Sequence, residues 1–217
     1  MNHFKKNRKV SKGRLLYFGL LLSLLLFRCG GKEARSRYEI VGLLRPQSEY
    51  EDILHDITMR IYPSEHRLKA VDNVIIKRIA EEWPSLRFLI DPGLKIKNLQ
   101  LDSKPVGFKT GSIEALGYLF KVITVPKKLL PMSQKEINLS FSYDGEIFDP
   151  EREEKGRIIG KIDNEDLYLY LEPYPWISCT RPAARLAITL PKDWAIISSG
   201  RLIGAEKEAT ETTHFYE

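Results

Sequence analysis

Four histidines and two cysteines are the side chains of this chain best suited to bind a metal ion or to act as a nucleophile. They are His3, His55, His66, His214, Cys29 and Cys179. No two histidines have the His-Glu-x-x-His spacing of a zinc-binding helix. The chain also contains neither a Gly-x-Ser-x-Gly nucleophile turn nor a glycine-rich phosphate loop. His55 falls on the apolar side of an alternating segment, which favours a satisfied or an edge histidine over a ligand.

The segment Trp176–Pro191, WISCTRPAARLAITLP, and the acidic loop 146–156 are two further places to look for chemistry. Cys179 has no histidine near it in sequence, which favours a small packing residue at the turn into a strand. Arg181 and Arg185 are predicted to be loop and solvent-face charges. The loop acids could do acid–base work, but a mixed-charge loop beside a proline favours plain solvated surface. They are Glu151, Glu153 and Glu154.

The net charge of +5 comes from one end of the chain. Residues 1–14 carry six basic side chains and no acid, and the remainder is close to neutral. Later segments show no basic stripe interleaved with aromatic residues. Nucleic-acid binding is therefore not expected.

The N-terminus has the pattern of an export signal. A basic stretch precedes the uncharged apolar run 15–27, which is too short to span a bilayer comfortably as a helix. Cys29 and two glycines follow, and this order resembles a bacterial lipoprotein signal in which Cys29 would be lipidated. Arg28 departs from that pattern, so an ordinary cleaved signal and an uncleaved anchor stay open. All three alternatives put the rest of the chain outside the cytoplasm, and the lipoprotein signal predicts a lipid-anchored protein of the cell envelope. The expected organisation is a signal at 1–29, a tether at 30–48 and a domain at 49–217.

The domain is predicted to be all-β, as a β-sandwich or a curved antiparallel β-sheet. About ten short segments alternate apolar and polar residues between turn signals, a period typical of half-buried strands. The only helical candidate, 74–82, is rich in β-branched residues and is rejected. Leu167–Leu171 is apolar on both faces, which predicts a strand covered on two sides.

Three local features are predicted within these strands. A slip of the alternation near Asp72 and Asn73 indicates a bulge. Asp144-Gly145 is predicted to end a strand with hairpin-type turn chemistry. Trp194–Ile197 is predicted to form a short strand.

Three segments, taken in order, resemble the N-terminal, non-catalytic β-domain of the aminopeptidase N-like zinc metallopeptidases. They are HDITMRIYPSEHRLKAVDNVIIK, INLSFSYDGEI and EPYPWISCTRPAARLAITLPKDWAIISSGRL. Within the last, Glu172-Pro173 corresponds to a Glu-Pro, Cys179 to a cysteine, and Pro182 to the proline before a strand. The stretch between Glu172 and Cys179 is shorter than in the family, and Thr180-Arg181 replaces an Asp-Glu.

The resemblance implies a function that lies mostly outside this chain. Family members remove N-terminal residues from peptides, with zinc on a His-Glu-x-x-His helix that would follow residue 217. Glu172 is the one residue here that the resemblance makes a substrate-binding candidate, for the free α-amine of a peptide. No zinc ligand and no catalytic residue is expected on this chain. Its expected partners are its own C-terminal catalytic domain, peptide substrates and the membrane.

Two alternatives stay open. One is an exported lipoprotein β-sandwich that acts as a binding or envelope assembly module without catalysis. The other is a degenerate family member that retains the β-domain and lacks peptidase activity.

Overall fold

The computed structural model describes residues 49–115, 118–147, 160–162, 167–169, 183–196 and 200–217. The predicted signal segment and tether lie outside these ranges. Thirteen strands and two short 3₁₀ helices, Pro63–Glu65 and Lys127–Leu129, make up the described elements. The strands are β1 (Tyr50–Tyr62), β2 (Arg67–Arg78), β3 (Leu86–Ile90), β4 (Leu94–Leu101), β5 (Lys104–Pro105), β6 (Lys109–Ala115), β7 (Tyr118–Val125), β8 (Glu136–Glu146), β9 (Gly160–Ile162), β10 (Leu167–Leu169), β11 (Ala183–Pro191), β12 (Leu202–Lys207) and β13 (Glu211–Tyr216).

The strands form one large sheet and two small ones. The large sheet has eight strands in the order β12-β13-β11-β1-β2-β8-β4-β5, the second has the order β3-β7-β6, and the third pairs β10 with β9. All pairings are antiparallel except β1 with β11, which run parallel. The predicted all-β class is confirmed, and the parallel pair makes the large sheet mixed.

The centre of the large sheet follows directly from the sequence pattern. Along β2 every second residue from Leu68 to Arg78 is buried, while the residues between them are exposed or half-buried. β8 repeats the pattern, with four buried residues from Ile137 to Tyr143. Since strand side chains alternate between the two faces, one face of these strands is buried and mainly apolar, with Asp72 and Arg78 as its polar members.

The second sheet covers that apolar face and makes the fold a sandwich. Phe88 of β3 packs edge-on against Phe141 of β8, with ring centroids 4.7 Å apart. Ile123 and Val125 of β7 belong to the same buried cluster as Leu68 and Val74 of β2. The core therefore lies between the eight-stranded and three-stranded sheets, as inner faces of paired sheets require.

The expected bulge at Asp72 and Asn73 is absent, because the pairing of β2 with β1 and β8 runs through both residues without a shift. Asp72 instead stands on the buried face and is fully enclosed. A buried aspartate breaks the apolar alternation and so imitates a slip of register. The irregularity of this strand pair is in β1, between Asp52 and Leu54.

The expected turn at Asp144-Gly145 is also wrong, since β8 continues to Glu146 and Gly145 pairs with both Leu68 and Leu94. The glycine serves a close approach of two backbones. A Cβ at Gly145 would lie 2.2 Å from the carbonyl oxygen of Gly93, and one at Gly93 would lie 1.9 Å from that of Glu146.

The predicted strand at Trp194–Ile197 is not formed by residues 194–196, and residue 197 lies outside the described ranges. Trp194 and Ile196 still pack against the core cluster. The apolar residues of 194–196 therefore reflect burial of one side of an irregular segment, not a strand. In contrast, β6 and β12 were not predicted, because each carries a glycine and a weak alternation.

Within the described ranges no α-helix occurs, and no helix there is long and apolar enough to cross a bilayer.

Replacing Gly145 with alanine is expected to destabilise the fold by about 2 to 3 kcal/mol, because the added methyl overlaps the Gly93 backbone. Thermal or urea unfolding of the purified chain measures the loss. Gly111→Ala is the matched control, since a Cβ at Gly111 has nothing within 4 Å. Equal unfolding midpoints for the two variants would contradict the close approach.

Candidate functional site

A buried histidine and aspartate form the most chemically suggestive pair in the described structure. Asp72 is on β2 and His55 on the adjacent β1, where alternation directs both side chains to the core face. Nδ1–H of His55 donates to Oδ2 of Asp72 over 2.8 Å. In sequence the two are 17 residues apart, and only the pairing of the hairpin brings them together.

The burial of this pair decides what it does. Neither side chain has any exposed surface, so a substrate in solvent does not reach the imidazole. His–carboxylate pairs orient bases in hydrolases, but that role needs access to a reacting atom. The pair therefore satisfies a polar group inside the sandwich, and of the two predicted alternatives for His55, satisfied or edge, the structure shows the satisfied one.

The other two described histidines differ in their surroundings, and Nε2 of His214 is buried without a hydrogen-bond partner. His66 ends the first 3₁₀ helix, and its Nδ1–H donates to the carbonyl oxygen of Ile162 over 2.6 Å, which ties β9 to the β1–β2 turn. His214 is half-buried on β13. Across the described ranges, no three His, Cys, Asp or Glu side chains are grouped to hold a metal ion.

An ion-pair cluster lies on the outer face of the large sheet, around Asp144. Arg67 Nη2 and Lys97 Nζ each lie 3.0 Å from one of its carboxylate oxygens. Burial, with 17% of the side chain exposed, favours the neutral acid. The hydrogen bonds from Lys97 and Arg67 together outweigh burial and hold the pKa of Asp144 below its ordinary value. The cluster clamps β2, β4 and β8 together.

Lys121 is a half-buried amine on β7, and burial lowers the pKa of its ammonium group, which Asp91 partly offsets. A lysine of lowered pKa can act as a nucleophile. Here, however, its Nζ donates to the carbonyl oxygens of Pro92, at 2.8 Å, and Leu94. These bonds hold the turn between β3 and β4 against the second sheet, which is a structural role.

The site residues predicted from sequence lie almost entirely outside the described ranges. This holds for the substrate-binding candidate Glu172, the lipidation candidate Cys29, and Cys179, Arg181 and the loop acids. Arg185 is described, and it is exposed on β11, as predicted. The strand predicted at Leu167–Leu171 is described over Leu167–Leu169, where Leu167 and Leu169 pack against the core.

The two edges of the large sheet differ in a way that sequence reasoning missed. One edge, β5, is only two residues long and consists of Lys104 and Pro105, which are features that discourage pairing. The other edge, β12, begins with Leu202 and Ile203, which are 54% and 55% exposed. Two adjacent apolar residues before a glycine were the available signal. Leu202 and Ile203 are called the edge patch below.

The fold resembles those of several solved structures, among them zinc metallopeptidases, an LTA4 hydrolase and an aminopeptidase. An M1 zinc metallopeptidase from Deinococcus radiodurans matches with a TM-score of 0.58 at 15% identity, over 79% of this chain and 39% of that one. Yeast LTA4 hydrolase matches with a TM-score of 0.52 at 9% identity, over 78% of this chain and 27% of that one. Legionella pneumophila aminopeptidase A matches with a TM-score of 0.51 at 9% identity, over 78% of this chain and 20% of that one.

No family sequence model and no curated protein sequence matches the chain. Identities this low establish a common fold and leave the reaction open. The chain spans about two fifths of the length of the Deinococcus structures it matches.

Removing the carboxylate of the buried pair, by Asp72→Ala, is expected to cost about 3 kcal/mol, because it leaves an enclosed imidazole without its acceptor. Urea unfolding followed by circular dichroism measures the change. Asp56→Ala is the control, since Asp56 is exposed on the neighbouring strand and its loss should stay within about 0.5 kcal/mol. If Asp72→Ala lost as little stability as is expected of the control, within about 0.5 kcal/mol, the pair would contribute little to stability.

Asp144→Asn is expected to cost about 1 kcal/mol at neutral pH, since it weakens two ion pairs. Because folding lowers the pKa of Asp144, the stabilisation is present above the unfolded pKa of about 3.9 and is lost as the pH falls through the folded value. The unfolding free energies of the two proteins should therefore differ from pH 7 down to about pH 4, and converge only at lower pH, where Asp144 of the folded protein becomes protonated. A difference that persists at low pH would contradict the assignment.

Proposed function

We propose that this chain is the N-terminal, non-catalytic β-domain of an exported, membrane-anchored zinc aminopeptidase-like protein. The observation that supports this most is the fold likeness, which covers 79% of this chain but only 39% of the first metallopeptidase. The remaining part of that protein has no counterpart here. The order of sequence segments that resemble aminopeptidase N-like enzymes supports the same assignment.

The described residues of this chain offer no group of side chains that could hold a zinc ion, and the sequence has no His-Glu-x-x-His. The zinc, which would activate water for peptide hydrolysis, is proposed to be bound by the domain proposed to follow residue 217. This chain would form one wall of the active-site cavity and help exclude water from it.

Peptides with a free α-amine are the proposed substrates. The Deinococcus metallopeptidase has been solved with a Tyr-Ser-Ala substrate, at a TM-score of 0.56 and 16% identity to this chain. On this chain the proposed contact is Glu172, because a carboxylate in a confined site pairs well with an ammonium group. This role, export and the lipidation of Cys29 stay predictions from sequence.

An aminopeptidase assay tests the proposal. The 217-residue chain alone should not release the chromophore from aminoacyl p-nitroanilides, whereas the longer polypeptide read on from codon 217 should. A zinc chelator should abolish that activity and added zinc should restore it. In the same assay, Glu172→Ala in the longer polypeptide should raise KM for peptides with a free amine.

A reading frame without a His-Glu-x-x-His beyond codon 217 would overturn the proposal. An inactive but well-folded longer polypeptide that contains the motif would instead indicate the degenerate alternative.

A further inference from the structure

The exposed edge of the large sheet lacks the protection that its opposite edge has. β12 pairs with β13 on one side, and no described strand pairs with its other side. An open edge invites further pairing and is normally blunted by charge, proline or shortness. β5 meets all three conditions, whereas β12 places charges only at its far end, at Glu206 and Lys207.

The edge patch is where β12 is least protected. Leu202 stands opposite Tyr216 of β13, which is only 4% exposed, and the pairing shifts between Leu202 and Gly204. Ile203 therefore falls at the irregularity. More than half the surface of both apolar side chains is open, directly beside a covered part of the same sheet. Apolar groups exposed at an unpaired strand edge are open to contact with a partner.

We infer that the edge patch is the docking surface for the domain that follows residue 217. The inference rests on the proposed function, which supplies that domain. Glu217 and Arg201 exchange two backbone hydrogen bonds, of 2.8 and 3.1 Å, and their side chains form an ion pair. Any polypeptide that continues from Glu217 therefore starts beside Arg201, next to Leu202. A covalently attached domain meets this surface at a high effective concentration.

A second copy of the chain suits this edge less well. Pairing two β12 strands along their length would bring Glu206 and Lys207 of each copy into the contact. Burying charged groups in such an interface is unfavourable unless each finds a partner. The apolar end alone offers two side chains, which fits local packing of an attached domain better than a dimer.

Amide hydrogen exchange tests the inference, in the 217-residue chain and in the longer polypeptide. Peptides that cover 201–207 should exchange about tenfold more slowly in the longer polypeptide, because the edge is covered there. Peptides that cover the opposite edge, at Lys104 and Pro105, should exchange equally in both.

Two matched variants of the longer polypeptide locate the contact. Ile203→Asp should loosen the interface, seen as faster exchange across β13 and earlier unfolding. Ile79→Asp is the control, because Ile79 is 57% exposed against 55% for Ile203 but lies just beyond the end of β2. Ile79→Asp should change neither the hydrogen exchange across β13 nor the onset of unfolding.

Each outcome bears on the inference separately from the proposed function. Equal exchange at 201–207 in an active, zinc-containing polypeptide overturns the docking surface and leaves the function standing. Protection in the short chain that rises with its concentration overturns it in favour of a second copy. Protection in a longer polypeptide without zinc supports docking and overturns the function, while a chain that ends at residue 217 overturns both.

Discussion

The fold depends on burying one face of an eight-stranded sheet under a sheet of only three strands. The edge-on contact of Phe88 with Phe141 marks where the two meet, and the alternating residues of β2 and β8 supply the apolar surface below it. Ile162 of β9 also belongs to this core, and Leu167 and Leu169 of β10 pack against it. The part of the large sheet formed by β11, β13 and β12 includes both well-buried residues, such as Tyr216, and open ones, such as Leu202.

Much of this sandwich could be predicted from sequence, because alternation reports burial directly. Prediction from alternation failed where a residue broke the pattern because of a contact with another strand. Asp72 sits in the core because His55 pairs with it from the next strand, and sequence alone took the polar residue for a bulge. Gly145 continues a strand because Gly93 approaches it, while the same glycine normally signals a turn.

The candidate site was less predictable than the fold. Histidines, cysteines and acids were the side chains searched for chemistry. Among those that the structure describes, His55 and Asp72 pair inside the sandwich and Asp144 is engaged in ion pairs. Leu202 and Ile203 carry no reactive group. They could be recognised as a candidate contact surface only from the sheet topology, which places β12 at an edge. The proposed function accounts for this division, because a non-catalytic domain contributes surfaces and positioning while a neighbouring domain carries the zinc.

The measurement that most directly tests this account is the intact mass and zinc content of the protein isolated from its native cells. The account predicts a polypeptide substantially longer than 217 residues that carries one zinc ion per molecule and a processed N-terminus. A mature protein that ends at residue 217 and contains no zinc would contradict it.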